Sequence, residues 1–139
     1  MNKISLMPYL NFNGNCAEAM EFYKSVLGGK LDMQTFGDTP EMKTPKNEKN
    51  KVIHAILKTK SLEFMASDGD KKHPIKFGNS VHMSLMGNDE KALTKYFKAL
   101  SKGGKIDMPL AKQFWGDKFG MLTDKFGVHW MVNISAKPS

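Results

Sequence analysis

The sequence predicts an α+β protein: two tandem βαβββ modules whose strands form a curved eight-stranded mixed sheet with a concave cup. Three observations predict it. A six-residue segment, Gly28-Gly29-Lys30-Leu31-Asp32-Met33, returns as Gly103-Gly104-Lys105-Ile106-Asp107-Met108. Upstream of each copy lies an amphipathic helical pattern, and upstream of each helix lies a Gly-Asn pair, Gly14-Asn15 or Gly87-Asn88. Strand-like segments flank both helices in the same order, so the chain reads as a duplication. Module one is expected over residues 1–68, a polar linker with Pro74 over 69–79, and module two over 80–135.

The first strand is expected over Ile4 to Leu10. In the helix that follows, Cys16, Ala19, Met20, Tyr23, Val26 and Leu27 recur on one face, with Glu18, Glu21 and Lys24 elsewhere around the cylinder. Asn15 is the expected N-cap, Glu18 completes a capping-box-like pair, and Gly28-Gly29 supplies the stop. Lys30 to Phe36, Val52 to Lys58 and Leu62 to Ser67 read as the three remaining strands of the module. The second module repeats the plan. Ser80 to Met86 is its first strand, and Asn88 caps a helix in which Asp89 and Glu90 favour the positive end of the dipole. Ala92, Leu93, Tyr96, Phe97 and Leu100 form the apolar stripe of that helix, and Lys105 to Pro109, Gly120 to Thr123 and Val128 to Ile134 follow as strands. A four-stranded sheet does not easily bury both faces alone, so pairing the halves is the natural solution. The lysine-rich segment Gly37 to Asn50, with Pro40 and Pro45, is long enough for a lid and equally suited to a surface excursion.

Composition bounds the function. A chain of 139 residues, 40% hydrophobic and 25% charged, is the size of one domain with an adequate core. The net charge of +7 comes entirely from lysine. Without arginine's bidentate fork it argues for a lysine-dressed surface, and no nucleic-acid partner is expected. Cys16 is the only cysteine, so no disulfide forms within the chain. With no His or Lys within four residues, it reads as a small buried residue rather than a reactive thiol. No apolar run approaches a membrane span and the first ten residues lack a secretory h-region. No membrane partner is expected, and the expected location is cytoplasmic.

Nearly the whole chain carries a family resemblance. Pro8-Tyr9-Leu10, Gly14-Asn15-Cys16, Glu21-Phe22-Tyr23 and Leu27-Gly28-Gly29 resemble the first module of PhnB-like proteins. Gln113, Trp115-Gly116-Asp117, Phe119-Gly120, Asp124, Phe126-Gly127-Val128 and Trp130 resemble the second. PhnB-like proteins form a branch of the glyoxalase, bleomycin resistance and dioxygenase (vicinal oxygen chelate) superfamily. That resemblance implies the cupped fold, a homodimer and a small-molecule ligand. In metal-using members a divalent ion sits in the concave face, held by residues of the first and fourth strands of each module and acting as a Lewis acid on adjacent substrate oxygens.

Carried over residue by residue, the resemblance places Glu63 and His82 at ligand positions, while Pro8 and Met131 occupy the other two. Proline cannot coordinate, and methionine is a poor ligand for a hard cation. Glu63 and His82 are therefore either the remnant of a metal site or a hydrogen-bonded pair that tunes a pocket, and no cofactor is expected beyond a possible divalent ion. Strand alternation puts Glu63, Met65 and Ser67 on one side, as it does Ser80, His82 and Ser84, and His129, Met131 and Asn133. Val81, Met83 and Leu85, and Val128, Trp130 and Val132, form the apolar sides. His129, on the same face two residues from Met131, would have to reach roughly 7 Å along the strand to serve as a third ligand, which demands distortion. Glu63, His82, Ser84, Trp115, His129 and Met131 are the expected ligand-binding residues, with Trp115 in a Gly-flanked loop. His54 and His73 read as ordinary strand and linker histidines, and Asp117 and Asp124 as turn residues.

The expected function is small-molecule binding in the cup without metal catalysis, as bleomycin-resistance members sequester their ligand. The alternative is a divalent-metal-dependent lyase, isomerase or dioxygenase. A methyltransferase activity, a label often attached to PhnB-like relatives, finds no support, because no glycine-rich loop follows a strand and opens a helix to seat a nucleoside cofactor.

Overall fold

A computed structural model describes residues 4–38, 44–69 and 72–136. The chain divides into two compact units, Met1–Lys76 and Phe77–Ser139. Each holds one helix and one four-stranded mixed sheet, so the eight strands are shared between two sheets.

In the first unit, β1 (Tyr9–Phe12), α1 (Cys16–Leu27), β2 (Lys30–Thr35), β3 (Val52–Lys58) and β4 (Glu63–Asp68) give the sheet order β1-β4-β3-β2. The β1–β4 pair is parallel and the others antiparallel. The period of α1 buries Cys16, Ala19, Met20, Tyr23 and Leu27 together with Phe12, Ala55, Leu57, Phe64 and Ala66. Tyr23 meets Phe64 edge-on at 5.9 Å. Each large apolar side chain so buried contributes about 1.5–3 kcal/mol.

The second unit repeats the plan. It comprises β5 (Met83–Gly87), α2 (Glu90–Ser101), β6 (Lys105–Lys112), β7 (Lys118–Thr123) and β8 (His129–Ile134), in the order β5-β8-β7-β6. Again the first and last strands pair in parallel. Leu93, Phe97 and Leu100 of α2 are buried with Leu85, Leu122, Trp130, Val132 and Ile134.

The repeated glycine doublets do the same work in both units. Gly28 and Gly103 follow the helix ends with φ of 78° and 77°, values that L side chains avoid. A Cβ on Gly29 would collide with the Lys58 carbonyl oxygen, and one on Gly104 with the Thr123 carbonyl oxygen. Those carbonyls belong to the strands against which β2 and β6 start pairing, where Lys30 faces Lys58 and Lys105 faces Thr123. The echo in sequence is a shared backbone requirement.

Several local expectations need correction. The first strand begins at Tyr9. Ile4 and Leu6 are fully exposed, and only from the Pro8 carbonyl onward does the segment bond to β4. In the second module the strand begins at Met83 rather than Ser80, so Val81, placed by alternation on the buried side, is 79% exposed. Asn15 makes no side-chain capping bond. Its role falls to Asp68 at the far end of β4, whose Oδ1 accepts from the Gly14 and Cys16 N–H groups and whose Oδ2 accepts from Val52. The cap of α2 is Asp89, not Asn88, and accepts from the Ala92 N–H at 3.1 Å. The segment expected as lid or excursion falls partly outside the described residues. Its described ends form two 3-10 turns, Phe36–Asp38 and Lys46–Glu48, closed by bonds from Phe36 and Gly37 N–H to the Lys51 and Lys49 carbonyls. Within the linker, Asn13 holds Ile75 through both its N–H and its carbonyl, which ties residues 72–76 to the first unit.

Candidate functional site

The helix covers one side of each sheet, and the expected site residues lie on the other. In the second unit, β8 alternates strictly: Trp130, Val132 and Ile134 are buried, while His129, Met131 and Asn133 are half-buried on the open face. Register continues that face across the sheet. Thr123 stands opposite His129, Met121 opposite Met131, and Phe119 opposite Asn133 on β7. On β5, Ser84 is opposite Met131 and exposed.

His82 lies just before β5. Because Met83 pairs with Trp130, the next position back sets His82 beside His129, and their rings meet at 5.3 Å. Counting along β8 from Met131 had separated His129 from the ligand position. The actual parallel register brings it beside His82 at the start of the neighbouring segment. His129 Nδ1 lies 2.8 Å from Thr123 Oγ1, which also bonds Asp107 Oδ2 at 2.7 Å. Asp107, two residues along β6 from the Lys105 that pairs with Thr123, sits where the β6–β7 register slips between Ile106 and Met108. Sequence reasoning missed Thr123, Met121 and Asp107. The alternation Phe119, Met121, Thr123 was visible, but the strand pairing that sets Asp107 beside Thr123 was not.

At the other end of the face, Trp115 contacts Phe114 and Phe119 with ring centroids 5.0 and 6.1 Å away. Phe114 is fully exposed and Trp115 half exposed. Bonds from the Asn133 amide, the Ala136 N–H and the Trp115 indole hold the Asp117 carboxyl below the usual range. Asp117 thus fastens the Trp115 loop to β8. Asp124 closes the β7–β8 turn by accepting from Phe126 and Val128 N–H and from the Trp130 indole at 2.8 Å. Both aspartates serve turns, as their sequence context implied.

In the first unit the open face carries Glu63, Met65 and Ser67 of β4, half-buried, with Phe64, Ala66 and Asp68 buried behind them. Glu63 forms an ion pair with Lys58 at 3.2 Å on the paired strand. Tyr9, opposite Met65 on β1, lies 6.1 Å from His54. Cys16 is fully buried, and burial, followed by the nearby Asp68 charge, pushes its thiol up to about 12. It is inert at neutral pH.

Metal fit can be judged from these donors. Among the described residues no three His, Cys, Asp or Glu side chains gather into a metal-holding group. Glu63 is engaged by Lys58, His129 Nδ1 by Thr123, and the residue across from Ser84 is a thioether. Within neither unit do these donors fit a hard divalent cation.

Comparison with known proteins places this geometry. The family model described as 3-demethylubiquinone-9 3-methyltransferase matches residues 4–133. The chain belongs to that PhnB-like family. Protein YjdN of Escherichia coli (strain K12) is 30% identical, covering 93% of this chain and 94% of YjdN. The crystal structure of protein PA1353 from Pseudomonas aeruginosa superposes with a TM-score of 0.86 at 42% identity, over 96% of this chain and 98% of that one. A structure from Bacillus cereus, described as a putative 3-demethylubiquinone-9 3-methyltransferase, PhnB protein, gives a TM-score of 0.76 at 27% identity, over 95% and 100% of the two chains. A glyoxalase/bleomycin resistance protein/dioxygenase family enzyme from Burkholderia phytofirmans PsJN, 14% identical with a TM-score of 0.62 over 94% and 98%, shares the fold. The PhnB-like assignment and the glyoxalase/bleomycin resistance fold expected from sequence both hold. Among the described residues no helix is long and apolar enough to cross a membrane.

Proposed function

We propose that this PhnB-like chain binds a small, largely apolar molecule on the open face of its sheets, without a metal ion taking part. The observation that carries the reading is the make-up of that face in the second unit. Met121, Met131 and Phe119 form an apolar floor on the side of the sheet away from α2, with His82, His129, Thr123 and Asn133 as the polar groups around it. Pockets that hold small molecules combine an apolar lining with a few convergent polar groups. The thioethers let such a surface adapt to its occupant.

The test is mass spectrometry of what denaturation releases from the purified protein, together with elemental analysis of the same sample. A co-purifying organic molecule without stoichiometric metal is the expected result. Stoichiometric divalent metal, lost on His82→Ala, would favour the alternative, a metal-dependent lyase, isomerase or dioxygenase. The specific observation on that side is the His82–His129 pair.

The family description names a methyltransferase. The glycine doublets of this chain end helices instead of opening one after a strand, which is not how a nucleoside cofactor is usually seated. Tight binding of S-adenosylmethionine in calorimetry would overturn that part of the reading. We also propose a cytoplasmic homodimer. Exposed Ile4, Leu6, Val81 and Met86 next to the edge strands β1 and β5 offer apolar surface for a second copy. Light scattering should give twice the chain mass, and Leu6→Lys with Val81→Lys should halve it.

A further inference from the structure

Resting on the binding reading above, we infer that His129 offers its bare Nε2 to the ligand as a hydrogen-bond acceptor, so the site selects apolar molecules bearing a hydroxyl or N–H donor, phenols being the simplest class. The deduction starts from proton counting. Thr123 Oγ1 carries one hydrogen and touches two partners, Asp107 Oδ2 at 2.7 Å and His129 Nδ1 at 2.8 Å. A carboxylate has only acceptor oxygens, so the hydroxyl hydrogen goes to Asp107. Nδ1 must then donate to Thr123. Neutral imidazole carries one N–H, so Nε2 keeps its lone pair.

Nε2 makes no hydrogen bond to any described residue, and it is not among the buried side-chain atoms lacking a partner, so solvent or ligand reaches it. One step along the same face, about 7 Å away, lie Met131 and Met121 opposite one another. Methionine sulfur favours aromatic rings. A fused aromatic ring system with one hydroxyl therefore spans from the acceptor to the thioethers.

The test uses a matched pair of probes, 1-naphthol and 1-methoxynaphthalene, which share the ring system and differ in the donor. Calorimetry on the intact protein should show 1-naphthol bound roughly tenfold or more tightly, the scale of one hydrogen bond to an otherwise unpaired group. Thr123→Val removes the link. Asp107→Asn supplies an amide that can donate to Thr123 and so frees the hydroxyl to donate to Nδ1. Both variants should shrink the preference for 1-naphthol over the ether to about twofold. Long-range ¹H–¹⁵N correlation spectra of the unliganded protein, recorded where His129 is neutral, should place its proton on Nδ1, and on Nε2 in Asp107→Asn. A proton on Nε2 in the native protein, or equal affinity for both probes, overturns the inference and leaves the binding reading standing. Binding of neither probe overturns both.

Discussion

The two units share a topology down to the parallel pairing of first and last strands, yet their open faces differ. The first presents an ion pair, Glu63 with Lys58, beside Tyr9 and His54. The second presents methionines and a directed chain from Asp107 through Thr123 to His129. What stayed alike is what the backbone demands: a left-handed turn after the helix and a glycine against the neighbouring strand's carbonyl. What diverged is the side-chain layer on the side of each sheet away from its own helix. Even the buried carboxylates differ, Asp68 gripping the start of α1 while Asp124 locks a hairpin onto Trp130. Copying the frame left each face free to acquire its own chemistry.

The comparison breaks most easily at the glycines. Gly29→Ala and Gly104→Ala should each cost about 3 kcal/mol or more in urea unfolding, since a Cβ meets a carbonyl that cannot move without opening the sheet. A neutral result at one site only would show that the two doublets are not equivalent. Next come the carboxylates. Asp68→Ala and Asp124→Ala each strand three N–H donors, and losses of about 2–4 kcal/mol are expected, with near-ultraviolet circular dichroism changing in Asp124→Ala because Trp130 loses its partner.

Cys16 distinguishes the first unit by pH. Its folded thiol is pushed from 9.0 up to about 12, so the unfolded chain ionises first. Stability from this group is complete below pH 9 and is lost as pH rises toward 12, at up to about 1.4 kcal/mol per unit. Between pH 8 and 10 the native protein should lose about 1 kcal/mol more than Cys16→Ala, and its thiol should react with a disulfide reagent only on unfolding. The smallest effect belongs to Glu63→Gln. Its ion pair with Lys58 is largely solvated, so stability should fall by less than about 1 kcal/mol, and ligand affinity should stay unchanged. A large loss of affinity would move the site onto the first unit's face.

The halves were legible because helix period, strand alternation and the glycine echo are local signals. Trp130, Phe64 and Tyr23 fell in the core as alternation and the helical stripe placed them. Failures came where a distant residue took over a local role. Asn15 precedes α1 and has a capping side chain, but Asp68 arrives from β4 with a full charge and three donors to satisfy. The first strand's register was likewise beyond reach, because Ile4 and Leu6 look like strand residues and simply lack a partner on their own sheet.

By itself the sequence determined the duplicated βαβββ frame, the two helical faces and the family, since each rests on periodicity or on glycine's conformational freedom. Only the tertiary structure decided that His82 meets His129 and that Asp107 reaches Thr123. Both depend on strand register, which is set by the pairing of segments many residues apart and which no local pattern encodes.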